Sequence, residues 1–235
     1  MGKVRVGVAV FGVVGLLAVG AVMAATTTSN AKTRGVIMFA GDSNIYLNSF
    51  GIAAVLSGPG AHGDNGYVPV LASRPGVALR SPDCLVTAGC TTGDYWKVKL
   101  AGILPKIQAD AYVTNLGIND TGSAGTATGV GYYSYSKKID WFMQLIPAGK
   151  LVIWTNLPCS IEPPSRLTGC RTVNYALALA KARWSNLVIA DWAAVANSHP
   201  EYIAQPGSDV HLSPAGHSAW IALVARELDS RLAPK

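Results

Sequence analysis

Four short blocks in this chain carry residue types that could act together on a carbonyl centre. They are Gly41-Asp42-Ser43, Thr92-Gly93-Asp94, Gly117-Ile118-Asn119-Asp120 and Asp209-Val210-His211. They supply a hydroxyl, a free backbone amide, an amide side chain, and an imidazole with a nearby acid. That set suits acyl transfer through a serine nucleophile with a hydrogen-bonded oxyanion. Each block alone is ordinary. Gly-Asp-Ser is also a helix cap after a strand, Asn119 also fits an Asx turn, and Gly93 also fits a plain turn. Their order, each just after an expected strand, is the informative part.

The elements that must position them follow from apolar runs and their spacing. Gly35 to Ala40, Leu85 to Ala88, Ala111 to Leu116, Leu151 to Thr155 and Leu187 to Ala190 read as buried strands. Asp42-Ser43-Asn44 caps a helix running toward Leu56. Helical spacing also covers Tyr95 to Gln108, Ser134 to Leu145, Thr172 to Trp184 and Ser213 to Leu232. Residues 57–82, rich in Gly, Pro and Asn, read as a long surface loop. The segments 121–131 and 158–170 read as loops beside the site. Alternating strands and helices predict a three-layer α/β/α sandwich on a five-stranded parallel sheet. The exits of its strands share one edge, where ligands bind.

The chain has 235 residues, half of them apolar and 14% charged. That is ample for one domain. Part of the apolar excess lies at the start. Lys3 and Arg5 precede an uncharged run from Val6 to Ala25, and Val22-Met23-Ala24 offers small residues for cleavage. Residues 1–25 therefore read as an export signal. The run is also long enough to span a bilayer, so membrane anchoring by residues 6–25 stays open. Residues 26–34 read as a tether and 35–235 as the folded domain. The formal charge is +6, or +4 without Lys3 and Arg5. No dense basic cluster interleaved with aromatics occurs, so no nucleic-acid partner is expected.

An exported chain with four cysteines favours disulfides. Cys84 with Cys90 and Cys159 with Cys170 each bracket a short loop, and these pairings are preferred among the three available. No Cys-x-x-Cys occurs and no histidine lies at ligand spacing, so no metal is expected. His62, His199 and His217 read as surface or packing residues. The absence of Gly-x-Ser-x-Gly disfavours an α/β-hydrolase. The absence of a phosphate-binding glycine pattern disfavours a nucleotide.

Together the blocks resemble those of the SGNH hydrolases, the GDSL-like lipase/acylhydrolase family. The similarity runs from about Gly35 to Leu232. Ala40-Gly41-Asp42-Ser43 is similar to the block carrying the nucleophile. Thr92-Gly93-Asp94 is similar to the block whose glycine amide joins the oxyanion hole. Asn115 to Asp120 resembles the block carrying the oxyanion asparagine. His211-Leu212-Ser213-Pro214-Ala215-Gly216 resembles the sequence that follows the catalytic histidine. The stretches Cys170 to Asn174 and Asp191 to Ala193 also resemble SGNH domains attached to bacterial surface-polysaccharide acyltransferases. The resemblance implies a flavodoxin-like sheet. There are two departures. Asn44 stands where the family name has leucine. The family's aspartate, three residues before the histidine, is here replaced by Ser208, with Asp209 one residue later. Either Asp209 orients His211 through a local backbone adjustment, or His211 works in a Ser–His dyad; Asp191 and Asp120 are alternative acids.

The expectation is an exported, secreted or cell-surface serine esterase. Ser43, His211 and Asp209 would be its catalytic residues, and Ser43, Gly93 and Asn119 would line its oxyanion hole. Acetyl or short acyl esters, on a glycan or lipid, would be its substrates, with no cofactor. Two alternatives stay open. One is an O-acyltransferase using the same site, and the other is a non-catalytic glycan-binding surface protein. The oligomeric state is not readable.

Overall fold

The computed structural model describes residues 34–57, 66–73, 75, 79, 100–121, 130–207 and 209–232, with no side-chain description at 130–134. Five parallel strands form one sheet in the order β2-β1-β3-β4-β5. They are β1 Gly35–Gly41, β2 Tyr67–Ser73, β3 Ala111–Thr114, β4 Leu151–Thr155 and β5 Leu187–Ala190. The chain steps from β1 to one side, then returns past β1 to build the other side. That reversal leaves a crevice above the carboxyl ends of β1 and β3, the usual ligand position in such sheets.

The second strand corrects the sequence reading. Tyr67–Ser73 lies inside the stretch taken as a surface loop, and Leu85 to Ala88 lies outside the described residues. The Gly, Pro and Asn content of the stretch masks the strand, and Pro69 within it cannot donate to a ladder. Among the described residues β2 lies at the sheet edge, paired only with β1 and with Pro69 opposite Ile37. An edge strand has a free side, so proline is tolerated there.

Helices flank the sheet, among them α1 Ser43–Leu47, α2 Ser49–Ser57, α3 Val130–Gln144, α4 Leu167–Arg183, α5 Trp192–Ala196 and α6 Pro214–Arg231. The expected helix over residues 95–108 is described only from Leu100 and ends in a 3-10 turn at Leu104–Lys106. Strand side chains alternate between two cores, as the pleat requires. Met38, Tyr112, Val152 and Trp154 face α3 and α4, joined by Phe142, Val173 and Leu177. Ile37, Phe39, Val113 and Ile153 face α1, α2 and α6, joined by Ile52, Trp220 and Val224. Helices on both faces of a parallel sheet make the three-layer α/β/α sandwich.

Two of the buried indoles find acceptors within the sheet and its exits, as burial of a polar N–H favours. Trp154 donates to the Leu116 carbonyl at 2.8 Å, and Trp220 donates to Thr155 Oγ1 at 3.3 Å. The first bond fixes the chain where it leaves β3, just before the Gly117–Asp120 block. A disulfide joins Cys159 to Cys170 and closes the loop between β4 and α4. Cys84 and Cys90 lie outside the described residues. No helix among the described residues is long and apolar enough to cross a membrane.

Candidate active site

Ser43 is the first residue of α1, where β1 ends and the backbone amides of a helix start point outward. Asp42 caps that helix, its Oδ1 accepting from the Asn44 amide at 2.9 Å. The same Oδ1 accepts from Asn115 Nδ2 at 2.7 Å, and Asn115 Oδ1 accepts from the Asp42 amide at 3.3 Å. The exits of β1 and β3 are thereby tied together. Asp42 is fully buried, and burial pushes its carboxyl up to about 6, against the pull of the Asn44 and Asn115 hydrogen bonds.

His211 reaches Ser43 across 168 residues of sequence, with Nε2 at 3.1 Å from Ser43 Oγ. Its Nδ1 lies 2.7 Å from Asp209 Oδ1. A carboxylate on Nδ1 selects the tautomer whose Nε2 lone pair faces the serine hydroxyl. The line of groups can therefore take a proton from Ser43 and return it to a leaving group.

The two-residue spacing works because Asp209 folds back over its own backbone. Its Oδ1 also accepts from the amides of Val210 at 2.7 Å and His211 at 3.2 Å. This tight turn brings the carboxylate to the ring edge from a position one residue late. Burial opposes ionisation of Asp209. Those two amides and the His211 ring outweigh it and hold the carboxyl below the usual carboxylate range.

Asn44, a capping residue in sequence and a departure from the family name, has a further role. Its side chain donates from Nδ2 to the Val210 carbonyl at 3.2 Å and accepts at Oδ1 from the Leu212 amide at 2.9 Å. The two bonds bracket His211 from the residue next to Ser43. A leucine could make neither. The sequence signal was the unexpected polar residue itself.

Asn119 sits half-buried in a 3-10 turn, Ile118–Asp120, directly after β3. Gly117 enters that turn at φ 140, and a Cβ there would meet Val173 Cγ1 at 2.9 Å and Tyr135 Oη at 3.0 Å. Only glycine combines that dihedral with that contact. Since β1 and β3 pair through Ala40 and Thr114, the chain segments leading to Ser43 and to the Asn119 turn leave the sheet at the same edge. Gly93 lies outside the described residues.

No protein-family model matches the sequence, and neither does any curated protein. Solved structures match in fold. A lipase/acylhydrolase from Enterococcus faecalis is 21% identical, with 85% of this chain and 98% of that one covered at a TM-score of 0.58. The C-terminal catalytic domain of a Streptococcus pneumoniae peptidoglycan O-acetyltransferase is 16% identical, covering 85% and 94% at 0.56. An acetyl xylan esterase from Geobacillus stearothermophilus is 16% identical, covering 87% and 99% at 0.58. The chain has the SGNH hydrolase fold.

Within this SGNH fold the alternative acids are occupied elsewhere. Asp191 caps α5 through the Ala194 amide and accepts from Asn156. Asp120 is buried beneath the Asn119 turn, where it accepts from the Leu79 amide at 2.8 Å and lies 3.5 Å from Lys138 Nζ. His199 stacks on Tyr202 and contacts Glu201, and His217 is half-buried on α6. His62 lies outside the described residues. Among the described residues no group of three or more His, Cys, Asp or Glu is placed to hold a metal ion.

Sequence reasoning also passed over Glu162. It is 6% exposed, and among the described residues its Oε2 has no hydrogen-bond partner. It lines a cleft with Asn115, Leu157, Trp192 and Val210. Burial pushes its carboxyl up to about 8, Arg166 pulls it down, and the charges of Asp42 and Asp209 push it further up. The folded state therefore keeps Glu162 protonated after the unfolded chain has ionised it. Stability falls as pH rises from the ordinary 4.5 through about 8 and is lowest above that. Glu162→Gln should melt progressively higher than the parent across this window, and the difference should vanish at about pH 4. Thermal unfolding at several pH values reads it out, and a pH-independent difference would contradict the assignment.

Proposed function

We propose that the chain is an exported serine esterase of the SGNH hydrolase family, cleaving acetyl or other short acyl esters on cell-surface glycans. The observation that carries this reading is the Ser43–His211–Asp209 line, with contacts of 3.1 and 2.7 Å. Ser43 Oγ attacks the ester carbonyl while His211 Nε2 takes the hydroxyl proton. The amides of Ser43 and Gly93 and the side chain of Asn119 hold the oxyanion. The tetrahedral intermediate then collapses, and His211 gives its proton to the departing alcohol. Water, deprotonated by the same imidazole, attacks the acyl-serine and frees the acid. The cycle as written consumes one ester and one water and uses no metal or organic cofactor.

One observation supports the glycan side and another supports export. Two structures with this fold are named for acetyl groups on polysaccharides, a peptidoglycan O-acetyltransferase and an acetyl xylan esterase. The apolar leader and the Cys159–Cys170 disulfide both suit an oxidising, exported setting. The O-acetyltransferase also keeps acyl transfer to a sugar as the second reading of the same site.

The test is hydrolysis of p-nitrophenyl esters of increasing chain length, then of an acetylated glycan, with products resolved with and without a glycan acceptor. The expected result is free acid as the main product, with acetate or another short ester turned over fastest. An acceptor that captures most of the acyl group would make the protein a transferase. Glycan binding without turnover of any ester would make it a binding protein.

A further inference from the structure

Segment 159–170, running from the β4–α4 connection into the first turn of α4, carries three contacts that the esterase reading does not use. The Arg166 side chain donates from Nη1 to the Ile118 carbonyl at 3.0 Å and to Thr121 Oγ1 at 3.4 Å. Thr121 Oγ1 in turn donates to the same Ile118 carbonyl at 2.8 Å. At the start of α4, Gly169 lies flush on the turn, where a Cβ would fall 1.8 Å from the Thr121 carbonyl oxygen.

The Ile118 carbonyl belongs to the same peptide unit as the Asn119 amide nitrogen. Peptide units are planar, so a bond that fixes this carbonyl fixes the plane from which the Asn119 side chain departs. A guanidinium holds a carbonyl more firmly than a neutral donor does, and its flat fork limits rotation. Arg166 is itself fixed. Its amide donates to the Pro163 carbonyl at 2.8 Å, and the Cys159–Cys170 disulfide closes the segment around it.

We propose that Arg166 is a positioning residue for the oxyanion hole, holding the Ile118–Asp120 turn so that the Asn119 amide meets the developing charge. This rests on the serine-esterase reading and assigns it a residue that touches neither Ser43 nor His211. The oxyanion lies closer to its donors in the transition state than the ground-state carbonyl does, so a small misplacement of Asn119 affects the chemical step more than binding.

The test is a double-mutant cycle on the full chain, with a short p-nitrophenyl ester as substrate. Arg166→Met should lower kcat about 10- to 100-fold with KM within about twofold, as a weakened oxyanion donor does. Arg166→Lys, which keeps one charged donor, should recover part of the loss. In an Asn119→Ala background, Arg166→Met should cost less than about twofold, because the group it positions is gone. Additive losses would overturn the proposal, as would a raised KM with kcat unchanged, which would make Arg166 a substrate contact. If Arg166→Met does not fold, Thr121→Val removes the other side-chain bond to the Ile118 carbonyl, and the same cycle is read from it. Additivity in a protein that still needs Ser43 rejects the role of Arg166 alone. Turnover that survives Ser43→Ala rejects the esterase reading and the oxyanion hole with it.

Discussion

Ser43→Ala is expected to lower ester turnover by about 10⁴- to 10⁶-fold, and His211→Ala to match it, because nucleophile and base act as one unit. Alanine has no group to form the acyl-enzyme, and without the imidazole the hydroxyl keeps its proton. The fold should survive both changes. Ser43 is 5% exposed, but its hydroxyl bonds outward to His211, while α1 is capped by Asp42. The His211 loop is held by Asn44 through backbone groups that His211→Ala retains. Unchanged melting with lost turnover would therefore place the effect in the chemistry. Full turnover by Ser43→Ala would sink the mechanism. The combined variant separates one unit from two, since it should be no slower than either single one.

Four of the five strands were legible because each is a near-continuous, mostly buried apolar run. β4 and β5 are short apolar runs covered on both faces, and they match the sequence reading residue for residue. β1 and β3 differ from it by one or two residues at one end. β2 failed the same test because its first half alternates in burial and its run is interrupted by Pro69. α5 is a five-residue helix held by the Asp191 cap, too short for periodicity to register.

The parts of the site that escaped the sequence are side-chain contacts across long separations. Asn44 touches the residues flanking His211 from 166 and 168 positions away, and no local pattern encodes such a bond. Arg166 grips the Asn119 turn from 48 positions away, inside a stretch that reads only as a proline-rich loop. Glu162 would ordinarily be taken for a solvated carboxylate, and only the packing shows it buried. Ser43, Asn119 and His211 could be found because their chemistry is scarce and falls at strand exits.

Asp209→Asn is expected to slow turnover by about 10²- to 10⁴-fold with little change in KM, on the scale of losing a triad carboxylate. Asparagine is nearly isosteric, and its Oδ1 can still accept from the Val210 and His211 amides, so the turn should persist. What goes is the negative charge beside Nδ1, which stabilises the imidazolium and selects the tautomer. Because the folded carboxyl is held below its ordinary range, this charge is fully present above about pH 4 and is lost only as pH falls through the lowered value. The penalty should therefore be constant across neutral pH. A dyad, in which His211 needs no acid, predicts a loss under about tenfold. Asp209→Ala adds a second comparison. It removes the acceptor for both amides as well as the charge, so any further loss beyond Asp209→Asn measures the turn that brings an acid, one residue late, onto the histidine.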